Sequence, residues 1–124
     1  MRYLYLLTVS LSFMNFVVAD SATEAKAKAG DLQAQYDLGQ LYWYGDGVKR
    51  DAAKAVEWFR KSAAQGHAKA QFSLATAHET GEGADQSLRE AAKWYRKSAE
   101  KGNMDSQTQL GFFYAKGKGL VKNE

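Results

Sequence analysis

The sequence predicts an all-α solenoid built from antiparallel helix pairs, and two observations support this fold class. First, residue types recur along the chain at a fixed step of 36 residues, as Gly30, Gly66 and Gly102 show. Second, the segments between these glycines carry apolar residues at helical spacing and lack the alternating pattern of strands. The 124-residue chain therefore holds about two and a half repeats of 36 residues.

The same step of 36 residues relates many further positions, both within the predicted helices and in the loops. Four more sets recur in all three repeats: Gln35, Gln71 and Gln107; Leu38, Leu74 and Leu110; Gly45, Gly81 and Gly117; Gly47, Gly83 and Gly119. Between the first two repeats, Ala55 also matches Ala91 and Trp58 matches Trp94. So many matches at one offset indicate a structural repeat.

The first element, residues 1–19, has the parts of a secretory signal peptide. Arg2 supplies a positive start, a largely apolar run follows, and small residues precede Asp20. An uncleaved membrane anchor is the alternative, but the run falls short of the roughly 20 apolar residues that a spanning helix needs. We expect cleavage after Ala19, a periplasmic or secreted mature protein, and no stable membrane insertion after cleavage.

The remaining chain divides into an N-terminal cap helix and three repeats. Residues 20–29 are rich in alanine and form the cap helix, followed by repeat 1 (30–65), repeat 2 (66–101) and a partial repeat 3 (102–124). Each complete repeat holds a first helix, a Gly-x-Gly loop and a second helix. No strand precedes this loop and no Gly-Lys-Ser or Gly-Lys-Thr follows it, so it predicts a turn and not a phosphate site.

Small residues inside the predicted helices indicate close helix packing. Gly39 and Gly111 lie within first helices, where glycine costs roughly 1 kcal/mol relative to alanine, so we expect another helix to approach closely at both positions. Ala55 gives the second helix of repeat 1 the same freedom. Repeat 2 carries Ala77 and His78 where repeat 1 has Leu41 and Tyr42, so we expect its first helix to pack less fully.

The composition leaves little material for catalysis. The chain has no cysteine and two histidines, His67 and His78, which do not form an HExxH motif. We therefore predict no catalytic, cofactor-binding or metal-binding residue and no enzyme activity. A small envelope hydrolase is the alternative, and it requires His78, Glu79 and Glu82 to converge in a deep pocket. The net charge of +3, with signs that alternate along the chain, also argues against a nucleic acid partner.

The first repeat resembles the Sel1-like repeat, a relative of the tetratricopeptide repeat. The resemblance rests on AQYDLGQLY at 34–42, GDGV at 45–48, WF at 58–59, and the residues Asp51, Ala55, Lys61, Ala63, Ala64 and Gly66. It covers about residues 30–124 and implies an α-solenoid whose surfaces bind other proteins. Bacterial members of the family are commonly exported adaptors, and some resemble immunity proteins that neutralise secreted toxins. The resemblance thus implies a periplasmic adaptor or an immunity-type binder.

Positions that vary between the repeats are candidates for partner recognition, because the repeat scaffold does not dictate them. The candidates on the first helices are Asp37, Gln40, Trp43, Tyr44, Ser73, Thr76, Gln109 and Phe112. Tyr44 and Phe112 are aromatic where a solvated face needs no aromatic side chain, and aromatic residues are enriched at binding hot spots. Packing against the cap or the loops is the alternative for these two residues. Because Phe112 lies on the final predicted helix, we also expect self-association there, and a self-assembling structural envelope component remains an alternative function.

Overall fold

The computed structural model describes residues 21–117, which are helical throughout apart from short connections. The helices are α1 (21–28), α2 (Leu32–Tyr44), α3 (Ala52–Ala64), α4 (Ala68–Thr80), α5 (Leu88–Glu100) and α6 (Met104–Lys116). The predicted signal peptide and the last residues of the predicted third repeat lie outside the described residues. Helices α2, α4 and α6 are the first helices of successive repeats, and α3 and α5 are the second helices.

Side-chain caps start each helix from α2 to α6. In the first helices, Asp31, His67 and Asn103 occupy the same repeat position and accept a hydrogen bond from the backbone N–H three residues later, at 2.8, 3.1 and 2.9 Å. Asp51 and Ser87 cap the second helices in the same way. Each cap satisfies one of the backbone donors that a helix N-terminus leaves free. The caps therefore fix where the repeat begins each helix.

The loops between the two helices of a repeat also share one geometry. Gly45 ends α2 in the left-handed conformation, with φ of 69°, which side-chain-bearing residues rarely adopt. The backbone N–H of Asp51 then donates to the Tyr42 carbonyl at 2.9 Å, and in repeat 2 Ser87 donates to His78 at the same distance. These bonds fold each second helix back along the first.

The core is built largely from alanines between helices that follow one another in the chain. Ala55, Ala70, Ala75, Ala77 and Ala91 have no exposed surface. The main contacts join α2 to α3, α3 to α4, α4 to α5, and α5 to α6. This nearest-neighbour packing is the arrangement expected of a solenoid, in which each repeat contacts only its neighbours.

Gly39 confirms one predicted close approach. A Cβ atom placed there would lie 2.5 Å from the Phe59 ring and 3.2 Å from the carbonyl oxygen of Ala55. Only glycine leaves room for α3 at this point. The absence of a side chain on α2 thus sets the spacing of the first helix pair.

Two packing predictions were wrong, and both errors have the same cause. No atom lies within 4 Å of a Cβ placed at Gly111, because no helix among the described residues packs on that side of α6. Helix α4, expected to pack less fully, has six buried residues, whereas α2 has four and α6 has two. Its position between α3 and α5 compensates for its small side chains, so burial follows place in the stack more than residue size.

Glutamines at one repeat position join successive repeats through the same hydrogen bond, and Gln35 and Gln71 are buried whereas Gln107 is exposed. The side-chain Nε2 donates to a backbone carbonyl near the end of the preceding second helix, from Gln35 to Ala27 at 3.1 Å, from Gln71 to Ala63 at 3.2 Å, and from Gln107 to Ala99 at 3.2 Å. Because α1 receives this bond as α3 and α5 do, it takes the place of a second helix at the start of the stack. None of the helices within 21–117 is both long enough and apolar enough to span a bilayer.

Candidate functional site

The first helices of the three repeats line one groove. Its volume is about 310 Å³, at the small end of the range of about 300 to 1,000 Å³ for ligand sites. The lining residues are Tyr36, Gln40, Trp43, Tyr44, Phe59, Lys69, Phe72, Ser73, Thr76, Asn103 and Asp105. All of these except Phe59 lie on a first helix or at its N-cap, so the groove is a product of the repeat.

The structure brings five of the eight predicted binding residues together in this groove. They are Gln40, Trp43, Tyr44, Ser73 and Thr76. Gln109 and Phe112 line a second depression of about 200 Å³, together with Glu79, Phe113 and Lys116. Asp37 lines neither, and its carboxylate accepts a hydrogen bond from Gln33 Nε2 at 2.9 Å.

Aromatic side chains from α2 form one wall of the groove. Trp43 packs against Phe59, with ring centroids 6.0 Å apart, and Tyr36 lies 5.9 Å from the same ring. Tyr44 is 71% exposed, although it lies beside this packed cluster. Packing therefore accounts for Trp43 and Tyr36 but not for Tyr44. Phe112, at 54% exposed, is likewise not held by the core.

Polar side chains face this wall from α4 and α6. Lys69 and Asp105 occupy the same position of successive repeats, and neither forms an ion pair within residues 21–117. Thr76 donates to the Phe72 carbonyl at 3.1 Å and lies 3.2 Å from the hydroxyl of Tyr95. The groove thus combines apolar stacking area with charges of both signs that a partner could pair.

The hydroxyl of Tyr36, which lines the groove, is a hydrogen-bonding group at neutral pH. Burial is the main cause that raises the pKa of Tyr36, so its phenol stays protonated. Gln40 Nε2 donates to this hydroxyl at 2.8 Å. The bond holds the Gln40 amide against the aromatic wall.

Six groove residues were not among the sequence candidates: Tyr36, Phe59, Lys69, Phe72, Asn103 and Asp105. A usable signal existed for two of them, because Gln33, Lys69 and Asp105 share one repeat position and differ in charge. Tyr36 and Phe72 occupy one repeat position, and both are aromatic. Both are only half-buried, since their rings line the groove and also pack against the core.

The residues of the alternative hydrolase do not meet in one cavity. His78 is 5% exposed, and its Nδ1 lies 3.0 Å from the carbonyl oxygen of Asp85. Glu82 pairs with Arg50 across two loops, whereas Glu79 lines the second depression. Within residues 21–117, therefore, these three side chains do not form the pocket that acid-base chemistry needs.

The other histidine, His67, is part of the helix framework beside the groove. Its ring stacks on Tyr36, with centroids 4.9 Å apart and planes at 27°. Its Nδ1 caps α4 and its Nε2 lies 3.0 Å from Gln33 Oε1. Burial, followed by the nearby charge of Lys69, lowers the pKa of His67. No structural role was predicted for His67 from the sequence, although His67 lies at the same repeat position as the cap residues Asp31 and Asn103.

Stacked helix pairs with a groove along their first helices define an α-solenoid repeat protein. The family model of the Sel1 repeat matches residues 32–67, 68–103 and 105–124. The chain therefore belongs to the Sel1 repeat family, as the sequence resemblance predicted. The prediction of an all-α solenoid is also confirmed.

Relatives of known sequence and structure support this assignment. A sel1-like repeat-containing protein of Acanthamoeba polyphaga mimivirus is 51% identical over 39 residues, which cover 32% of this chain and 7% of that protein. A protective antigen of uropathogenic Escherichia coli with an SLR fold is 41% identical, with a TM-score of 0.81, over 85% of this chain and 22% of its own. The chain thus spans only a small part of these two relatives.

Two further solved structures are matched by this chain over most of their own length. The Sel1 repeat protein of Oxalobacter formigenes is 31% identical with a TM-score of 0.75, over 84% of this chain and 78% of that one. Cysteine rich protein B of Helicobacter pylori is 21% identical with a TM-score of 0.70, over 73% of this chain and 68% of its own, and shows the fold alone. Sel1 repeats are in general modules for protein–protein interaction, without catalysis of their own.

Proposed function

We propose that this chain is an exported protein-binding module that holds its partner in the groove along α2, α4 and α6. The observation that carries the proposal is the convergence of repeat-variable residues on one surface, with five of the eight candidates in the groove lining. The scaffold positions repeat, so that side chains which differ between repeats are free to specify a partner.

The chemistry of the groove suits recognition of a protein segment. Tyr44 and Trp43 offer aromatic area of the kind found at binding hot spots, and Tyr44 is 71% exposed before any partner binds. Lys69 and Asp105 give the partner one charge of each sign to pair. Covering aromatic surface supplies affinity, while the unpaired charges discriminate between partners.

The finer features of the proposal rest on sequence. The signal-like segment at 1–19 supports export to the periplasm or the outside of the cell. Within that compartment the module acts as an adaptor or as an immunity-type binder of a secreted protein, as the family resemblance implies. We propose no enzymatic activity, because the reactive side chains that the sequence offers have structural partners, as His78 and Glu82 show.

The test compares partner binding by matched aromatic variants. The mature protein, residues 20–124, is used to recover a partner from envelope extract, and the affinity for the purified partner is then measured by calorimetry. Removal of two aromatic side chains, in Trp43→Ala with Tyr44→Ala, should weaken binding by about 2 kcal/mol or more, the hot-spot threshold. Tyr114→Ala is the control, since Tyr114 is 53% exposed but lines neither depression. Equal affinity of both variants, with native circular dichroism, contradicts the proposal.

Self-association through α6 is a second proposal, supported by exposed aromatic surface there. Phe112 is 54% exposed, and a Cβ atom placed on the adjacent Gly111 would meet no atom of residues 21–117 within 4 Å. Apolar patches of this kind commonly mark interfaces. Light scattering of wild type and Phe112→Ser tests this: a wild-type dimer that the substitution disrupts supports it, and identical monomers reject it.

A further inference from the structure

The N-terminal cap of α4 differs chemically from the caps of α2 and α6. At one repeat position stand Asp31, His67 and Asn103, and each accepts a hydrogen bond from the backbone N–H three residues later. The oxygen of asparagine and the carboxylate of aspartate remain acceptors across the neutral and mildly acidic range. An imidazole nitrogen accepts only while the ring is neutral. The middle repeat therefore begins with a cap that acid can remove.

The contacts of His67 fix which nitrogen carries the proton. Nδ1 accepts the N–H of Ala70 at 3.1 Å, so the proton of the neutral ring lies on Nε2, which donates to Gln33 Oε1 at 3.0 Å. Gln33 Nε2 in turn donates to the Asp37 carboxylate at 2.9 Å. A second proton on the ring would lie on Nδ1 and face the Ala70 N–H, donor against donor. The network thus fits the neutral ring and not the cation.

Charged groups around His67 act in opposite directions. On α4, Lys69 disfavours a second positive charge, and the N-terminus of the same helix adds a positive dipole end. On α2, Asp37 favours the charge, and Tyr36 stacks on the ring as a neutral phenol. Burial is the largest effect on the pKa of His67, and its net shift is downward from 6.5. The folded protein therefore favours the uncharged imidazole.

We propose that His67 is an acid-sensitive cap that loosens the groove when its ring is protonated. Protonation removes the acceptor for Ala70 and places a cation at the start of α4 beside Lys69. Tyr36, which stacks on His67, and Lys69 both line the groove. Loss of the cap therefore changes the surroundings of two groove residues, Tyr36 and Lys69.

The sign of the pH dependence follows from the lowered pKa. The unfolded chain binds a proton at His67 near pH 6.5, whereas the folded protein binds it only at a lower pH. The stability contributed by the neutral ring is fully present above pH 6.5 and is lost as the pH falls through the folded pKa. This inference rests on the proposed function only where it predicts that acid releases a partner from the groove.

The test uses caps that the chain itself supplies at the other two sites. Thermal melts of wild type, His67→Asn and His67→Ala are recorded at pH 7.5 and pH 5. Between these pH values wild type should lose about 4 to 8 °C more in Tm than His67→Asn, which is the shift that loss of one cap produces in a domain of this size. His67→Ala lacks the cap at both pH values, so wild type should approach it only at pH 5. If the Tm of wild type and the Tm of His67→Asn change equally between pH 7.5 and pH 5, the inference is overturned.

A nuclear magnetic resonance titration measures the pKa and the tautomer of His67 independently of the melts. The signal absent from His67→Asn identifies His67, and the nitrogen shifts should show a proton on Nε2 and a pKa below 6.5. The ring signals of Tyr36 should change along the same titration curve. A pKa at or above 6.5, or a proton on Nδ1 at neutral pH, contradicts the cap.

The binding measurement separates this inference from the proposed function. With the partner recovered as above, the affinity should fall from pH 7.5 to pH 5 at least severalfold more for wild type than for His67→Asn. A partner whose binding is equally pH-dependent in both proteins rejects the acid-sensitive groove and leaves the proposed function standing. Failure of all groove variants to affect binding rejects the proposed function, while the melts and the titration still decide the cap.

Discussion

At the scale of single residues, a glycine sets how closely α2 and α3 pack. The Gly39→Ala variant would place a Cβ atom 2.5 Å from the Phe59 ring and 3.2 Å from the Ala55 carbonyl oxygen. Phe59 is 1% exposed, and its ring packs against those of Tyr36 and Trp43, which limit how far it can move. We expect this variant to lose about 1 to 3 kcal/mol of unfolding free energy, the usual cost of overpacking. Urea unfolding measures the loss.

The same substitution at the equivalent position of α6 is the control. A Cβ at Gly111 would meet no atom of the described part of the chain within 4 Å. We expect Gly111→Ala to raise the unfolding free energy by up to about 1 kcal/mol, because alanine is the better helix former. If both variants were destabilised equally, the cost would lie in the helix backbone and not in the contact with Phe59.

At the scale of helices, Gln35 on α2 and Gln71 on α4 occupy the same repeat position but differ in one hydrogen bond. The Oε1 of Gln35 accepts from Gln65 Nε2 at 2.8 Å. The Oε1 of Gln71, at the equivalent position, is buried and has no hydrogen-bond partner among residues 21–117. Lys101 stands 36 residues after Gln65, where repeat 1 supplies this donor. One substitution in the α5–α6 turn therefore leaves a buried acceptor unsatisfied.

Restoring the missing donor should stabilise the protein. We expect Lys101→Gln to raise the unfolding free energy by about 0.5 to 1.5 kcal/mol, the net value of a typical hydrogen bond. Lys101→Ala removes the lysine without adding a donor and should bring no such gain. Urea unfolding of both variants checks this, and equal stability of the two would show that Gln71 Oε1 does not limit the contact.

Much of the helix arrangement was predictable from the sequence because the repeat fixes it. The step of 36 residues predicted the helix pairs, and Gly39 predicted a close approach that the structure contains. The prediction failed at Gly111, where the repeat pattern requires a neighbouring helix that the described residues do not contain. Periodicity gives the residues of an element but not what is stacked against it.

The residues that line the candidate groove were less predictable than the helices. Variation between repeats identified Tyr44 and Ser73 as candidates, because neither position belongs to the shared scaffold, and both line the groove. Tyr36 escaped notice because its ring serves the core and the groove at once. The acceptor role of His67 depends on its ring orientation and its tautomer, which residue spacing does not specify.

At the scale of the whole molecule, the proposed export predicts that a partner is found outside the cytoplasm. The charged start at Arg2, the apolar run and the small residues before Asp20 predict cleavage after Ala19. Expression of the full chain in a bacterial host, followed by N-terminal sequencing of the periplasmic fraction, should give a product that starts at Asp20. A product that keeps Met1, or protein found only in the cytoplasm, would refute the predicted export.

The central claim is that a partner occupies the groove along the first helices, and site-specific photo-crosslinking in the producing cell tests it most directly. A photoreactive amino acid is placed in turn at Tyr44 and at Ser73, which line the groove, and at Glu57, which is exposed on α3 away from both depressions. The account predicts one shared protein adduct from positions 44 and 73 and none from position 57. An adduct that forms at position 57 and not at the two groove positions would place the binding surface on the second helices and contradict the account.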